Sequence, residues 1–187
     1  LLIKKNNAEP KTIESIEIKK IIEPQFACIG ITDYCFFKCR MCDKWKEDIK
    51  VLKGTPRPTL ENHKQFIRHL AVLVKDDLAG PVDNRFTLNF AGGEALSHSQ
   101  TIPLVEYASR LGLKTLIATN GYMLNKSMAK RLHEAGLTAL SISLDSVDQK
   151  IHDRMRGIDG ATSGVMQALE NLRQYEYPKV GICTVIS

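Results

Sequence analysis

Three cysteines crowded into eight positions, Cys35, Cys39 and Cys42, are the residues of this chain best suited to chemistry. The spacing Cys-x3-Cys-x2-Cys lets three thiolates from one short loop hold a soft metal centre, because thiolates favour iron–sulfur clusters, zinc or copper. Three protein ligands leave one coordination position open. For zinc, a fourth ligand such as His63 or His69 would close a structural site, and the second cysteine pair that a zinc ribbon requires is absent. Cys28 and Cys183 fall inside apolar runs and are expected to be small core residues. Five cysteines in 187 residues are too few for a disulfide scaffold, and their crowding points to a metal or cluster in a reducing compartment.

Four further segments carry residues that bind charged or polar groups: Ala91-Gly-Gly-Glu-Ala-Leu96, Thr119-Asn120-Gly121, Ser143-Leu-Asp145-Ser146 and Ile151-His-Asp-Arg154-Met-Arg-Gly157. Gly92 and Gly93 let a backbone approach a ligand closely, Glu94 suits an ammonium, and Arg154 suits a carboxylate through a charge-assisted bond. Taken singly each has a plain structural reading. Gly-Gly-Glu and Asn120-Gly121 serve as turns, and Arg154 serves as a solvated helix charge.

The elements that must position these residues follow from periodicity. From Gln25 onward, short β-branched apolar runs alternate with longer amphipathic segments, the pattern of repeated βα units around a parallel sheet. Strands are expected at Phe26–Thr32, Arg85–Phe90, Lys114–Ala118, Ala139–Leu144 and Val180–Ile186. Thr59 caps a helix with Phe66, Leu70 and Leu73 on its apolar face, and Pro103 sits in the first turn of a second helix carrying Leu104, Tyr107, Ala108 and Leu111. Asn125 caps a third, with Met128, Leu132 and Ala135 on one face and Gly136 as its stop. Ser163 opens a fourth, with Val165, Leu169 and Leu172. Residues 44–58 read as a long first βα loop, and residues 1–24 as an N-terminal extension in which Ile16-Glu-Ile18 alternates like an edge strand. In parallel α/β proteins ligands gather at the carboxyl ends of strands. The cysteine loop follows the first strand, Gly92-Gly93-Glu94 the second and Thr119-Asn120-Gly121 the third, and Ser143 to Ser146 closes the fourth, so four loops point to one site.

The cysteine loop resembles the signature of the radical S-adenosylmethionine (radical SAM) superfamily, and the likeness runs from about Pro24 to Ser187. Ala91 to Leu96 looks like that family's Gly-Gly-Glu motif, and Ser143 to Gly157 looks like its strand-four motif. The resemblance implies an α/β fold, a partial (β/α)6 TIM-like barrel of which residues 25–187 form about five of six strands, incomplete at the carboxyl end. It implies a 4Fe–4S cluster on Cys35, Cys39 and Cys42, with SAM chelating the fourth iron. It implies SAM contacts from Met41 beside adenine, from Gly92, Gly93 and Glu94 at the amino group, from Ser143 and Arg154 at the carboxylate, from Asp145 near the ribose, and from Asn120. The implied chemistry is one-electron cleavage of SAM to a 5′-deoxyadenosyl radical that abstracts hydrogen from substrate. Family members often have Asn after the first cysteine, an aromatic before the third and Pro after Gly-Gly-Glu, where this chain has Phe36, Met41 and Ala95. None of these departures removes a cluster ligand.

The implied partners are a one-electron donor such as flavodoxin or ferredoxin and either a peptide or a small-molecule substrate. Peptide or protein modification is the first expectation, and maturation of a cofactor or small metabolite the alternative. A non-enzymatic iron–sulfur carrier would need a fourth protein ligand, and a zinc-stapled scaffold would leave the later motifs unexplained. Composition, at 43% hydrophobic and 25% charged, is that of a globular domain. Apolar runs such as 70–74 fall far short of the roughly 20 residues that span a bilayer, no secretory leader is evident, and a soluble cytoplasmic protein is expected. The net charge of +5 is spread over interspersed acids and bases, without the basic runs of a nucleic-acid-binding tail. The chain opens without Met and closes inside an expected strand, the pattern of a fragment.

Overall fold

The computed structural model describes residues 24–46, 56–74, 86–175, 177 and 179–186. Five strands form one parallel sheet in chain order: β1 (Phe26–Thr32), β2 (Thr87–Gly92), β3 (Lys114–Thr119), β4 (Ala139–Ser143) and β5 (Lys179–Cys183). The expected Ile16–Ile18 edge strand, Arg85 and part of the 44–58 loop lie outside the described residues. Five helices connect and cover the strands: α1 (Leu60–Leu73), α2 (Thr101–Arg110), α3 (Lys126–Glu134), α4 (Gln149–Arg156) and α5 (Ala161–Leu172). Every strand pairs with its neighbours in parallel, so each connection must cross over the same face.

That face is apolar because successive strand side chains alternate sides. Leu88, Phe90, Ile117, Leu140 and Ile142 point to the helices, where they meet Ile67, Leu104, Ala108, Leu132 and Val165 in one buried cluster. Complete burial of each such side chain stabilises the fold by roughly 1.5–3 kcal/mol. The pairings Cys28↔Asn89, Asn89↔Leu116 and Leu116↔Ala139 put a mixed row, with Leu116 among small and polar residues, on the opposite face. Cys28 and Cys183 lie on that side and are exposed, so they are not the core residues expected from their apolar surroundings.

The helix caps explain where the chain turns back. Thr59 and Asn62 form a reciprocal capping box at α1, Asn125 Oδ1 accepts from Met128 N at 2.9 Å, and Asp148 accepts from Lys150 N and Ile151 N. The buried stripe of α1 is His63, Ile67, Leu70 and Ala71, one residue out of phase with the expected Phe66, Leu70 and Leu73, of which Phe66 and Leu73 are exposed. Both series satisfy helical spacing, and packing against α2 selects the first. The fourth expected helix starts two residues earlier than Ser163, behind the left-handed Gly160. Helix α4 was not marked by any apolar stripe, because its sequence is almost wholly polar.

Candidate functional site

The cysteine loop leaves β1 at Thr32 and is held on three sides. Gly93 N donates to Thr32 O at 2.6 Å and Glu94 N to Tyr34 O at 2.8 Å, so the loop after β2 runs alongside it. A Cβ on Gly93 would stand 2.1 Å from Tyr34 O, and one on Gly92 (φ +128°) would stand 2.1 Å from Thr32 O. These two glycines are therefore required by the close approach of two backbones. Phe37 is buried and meets Phe36 and Tyr122 edge-on. Trp45 Nε1 donates to Cys39 O at 3.0 Å, and Asp33 is paired with Lys44 and Arg57, which hold its carboxyl below the usual range.

Glu94 sits at the centre of the adjoining loops and is 1% exposed. Its carboxylate accepts from Thr119 Oγ1 at 2.7 Å, Asn120 N at 2.8 Å and Leu96 N at 3.1 Å. None of these donors is a cation. Burial therefore pushes its pKa up, against the lowering effect of the three hydrogen bonds. Burial also raises the Cys35 and Cys39 thiols, and at Cys39 the Arg156 guanidinium opposes that rise.

The third support is the segment 152–157. His152 is fully buried and its Nδ1 accepts from Asp145 N, which leaves its proton on Nε2; burial and the nearby Arg156 lower its pKa. Asp153 accepts from Gly160 N, Thr162 N and Thr162 Oγ1, closing the corner between α4 and α5. Arg156 Nη2 lies 2.7 Å from Asp145 Oδ1. Gly157 ends α4 in the left-handed conformation, with its Cα against Lys38 O.

These supports bring most of the expected site residues into one pocket. Cys35, Cys39, Cys42, Met41, Gly92, Gly93, Glu94, Asn120 and Ser143 line it together. Two expected residues are elsewhere. Arg154 is exposed on a separate concavity formed by α4 and the turn after it, with Asp148, Asp153 and Asp159. The Asp145 side chain is 2% exposed and turned into its pairing with Arg156 and Val185 N. Two cations line the cysteine pocket, Arg156 and Lys44, the latter paired with Asp33, and Phe37, Trp45 and Thr119 join them there. The signal for Arg156 was its spacing from His152: residues four apart share a helix face, and Arg154 lies off that face.

The donor set fits an iron–sulfur cluster with a polar organic ligand. The three thiols are free and share one pocket, yet among the described residues no three His, Cys, Asp or Glu side chains converge as a single metal ion requires. Asn120 Nδ2 and Arg156 Nε, both on pocket-lining residues, are buried without a protein partner. Glu94 offers a negative charge with no cation among its donors.

A parallel α/β sheet with a thiol-rich site at its carboxyl ends is the architecture of partial TIM-like barrels that carry soft metal centres. Residues 29–187 match the family model described as the radical SAM superfamily, and the chain belongs to that superfamily. Among its relatives, an Fe-coproporphyrin III synthase of Methanosarcina barkeri is 32% identical over 156 residues, covering 82% of this chain and 35% of the relative. A GTP 3′,8-cyclase of Microcystis aeruginosa is 32% identical over 134 residues, covering 71% of this chain and 38% of the cyclase. The crystal structure of Streptococcus suis SuiB bound to S-adenosylmethionine superposes with a TM-score of 0.70 at 19% identity, covering 88% of this chain and 34% of SuiB. The chain thus spans about a third of the length of these proteins. Among the described residues, no helix is long and apolar enough to cross a membrane.

Proposed function

We propose that this chain carries the catalytic core of a radical SAM enzyme, in which Cys35, Cys39 and Cys42 hold a 4Fe–4S cluster. The observation that carries the reading is the pocket itself: three free thiols, a buried carboxylate and two unpartnered donors at the carboxyl ends of β1 to β4. A 4Fe–4S cube presents a separate iron to each thiolate, which suits sulfurs that share a pocket without meeting at one point. When bound, the cluster and SAM supply the redox chemistry, in which one electron cleaves SAM and the resulting radical takes hydrogen from substrate. Glu94 receives the SAM ammonium, Gly92 and Gly93 set the path of the loop that carries it, and Ser143 and Asn120 Nδ2 offer donors to the carboxylate. Met41, 39% exposed on the rim, packs beside the adenine. Asp145 and Arg154 have no direct contact in this arrangement.

The substrate class with most support is a small cofactor precursor, because relatives above 30% identity are named for a porphyrin and a nucleotide reaction. The peptide alternative has a likeness of fold behind it, through SuiB. An external one-electron donor of the flavodoxin or ferredoxin type supplies the electron, in a reducing cytoplasmic setting. Anaerobic reconstitution is expected to load about four irons per chain, and reductant plus SAM to yield 5′-deoxyadenosine. Tight binding of zinc alone, or full iron content in Cys39→Ala, would overturn the assignment.

A further inference from the structure

Residues 38–40 and 155–157 run against each other. Arg40 N donates to Met155 O at 2.9 Å, and a Cβ on Gly157 would stand 2.1 Å from Lys38 O. The middle residues of the two stretches are Cys39 and Arg156, which line the same pocket, and the Arg156 charge lowers the Cys39 thiol pKa against the effect of burial. On its other side the guanidinium meets Asp145, with the two side chains 10% and 2% exposed. Asp145 is itself fixed from two more directions. Its Oδ1 accepts from Val185 N at 3.1 Å, and its own N donates to His152 Nδ1 at 3.1 Å. A long, flexible arginine is thereby confined to one place, beside one of the three pocket thiols.

We propose that Asp145 is a positioning residue that holds the Arg156 guanidinium against the Cys39 thiolate, and that this cation sets how readily the cluster bound there accepts its electron. The proposal rests on the radical SAM reading and extends it to a residue pair outside the SAM contacts. Reduction adds one electron, and so one negative charge, from the external one-electron donor to a cluster held by three thiolates; no proton or bond is exchanged. A buried cation lining the same pocket is poorly screened and stabilises the more negative, reduced state. Arg is the suitable residue because it stays charged at every working pH and its planar fork can bind a carboxylate on one side while leaving donors free toward the pocket. His152 does not compete for Asp145, since its Nδ1 acts as an acceptor toward the Asp145 N–H.

The test is a redox titration of the anaerobically reconstituted chain, followed by electron paramagnetic resonance in the absence of SAM. Arg156→Gln is expected to keep its iron while the ratio of reduced to oxidised cluster at a fixed poise falls about tenfold, a shift of about 59 mV for a one-electron couple. Arg156→Lys, which keeps the charge, is expected to restore most of that ratio. Because Asp145→Asn also removes a charge, its positioning role is read from a cycle: in the Asp145→Asn background the Arg156→Gln effect should shrink several-fold. An unchanged potential in iron-loaded Arg156→Gln would overturn the proposal, as would an effect confined to SAM affinity. Equal loss of iron in the Gln and Lys variants would show a merely structural residue. A full-sized Arg156→Gln effect in the Asp145→Asn background would remove Asp145 from the account. Failure of the unaltered chain to take up a cluster is a different result, and would count against the radical SAM reading itself.

Discussion

Glu94 joins two opposed influences in one side chain. Three hydrogen bonds favour its ionised form, while burial disfavours it, and burial prevails. A SAM ammonium entering the pocket would supply the missing counter-charge. Glu94→Gln is therefore expected to weaken SAM binding about ten- to a hundred-fold, a loss of roughly 1.4–2.8 kcal/mol, with iron content unchanged. Calorimetric titration of SAM into the reconstituted protein measures this. Because the carboxyl pKa is raised, SAM affinity should also begin to fall with decreasing pH earlier than an ordinary carboxylate would allow. An unaltered affinity would assign Glu94 wholly to holding the end of β3. That the cysteines, Glu94 and Ser143 gather in one pocket was legible in the sequence, because each lies at or soon after the carboxyl end of a strand. The place of Arg156 in that pocket was not, since the helix phase that separates it from Arg154 was not read, and nothing in sequence announces the buried ion pair that Asp145 makes eleven residues away.

The corner between α4 and α5 depends on a single side chain at the scale of elements. Asp153 accepts bonds from Gly160 N, Thr162 N and Thr162 Oγ1, with Gln149 nearby. Desolvation alone would raise its pKa, but these bonds together hold it at about 2, below the ordinary 3.8. A carboxyl depressed by folding stabilises the native state above its unfolded pKa, and that contribution is lost as pH falls through the folded value. The window here is about pH 4 down to about pH 2. Asp153→Asn is expected to cost about 1–2 kcal/mol at neutral pH and to flatten stability against pH across that window, as read by urea unfolding at several pH values. A variant with the wild-type acid profile would place the stabilisation elsewhere. The strands were legible because β-branched runs alternate, and β1 was placed at its observed limits. Helix α4 was not, because it presents His152 and Arg156 to Asp145 and Asp153 to Gly160 and Thr162, a task that leaves no apolar stripe to read. The phase of α1 was likewise decided by packing against α2, which the helical spacing alone leaves degenerate.

At the scale of the whole molecule, order in the sheet coincides with order along the chain, so among the described residues β1 and β5 are its two edges. The chain aligns with only 35% of the length of one sequence relative, and both edges carry exposed apolar side chains. Val180 is 42% exposed and Ile182 49%, both on the side where the helices pack against the other strands. Beside them Met166, Leu169, Leu172, Tyr175 and Tyr177 line a concavity of about 410 Å³ with Val180. At the other edge Phe26 is 53% exposed. An edge strand that presents both unpaired backbone groups and an apolar face is a template for pairing with a second chain, and natural edges are commonly blunted with lysine. The 187-residue chain is therefore expected to self-associate as its concentration rises, and Val180→Lys with Ile182→Lys to suppress that association. Neither substitution places a charge in the buried core, so stability should change by less than about 1 kcal/mol. Sedimentation velocity over a range of concentrations reads the association directly, and thermal unfolding checks that the double variant remains folded. Persistent association in a folded double variant would move the contact from β5 to the β1 edge, where Phe26→Lys is the corresponding substitution. A wild-type chain that stays monomeric throughout would mean that strand edges of this composition are already adequately protected.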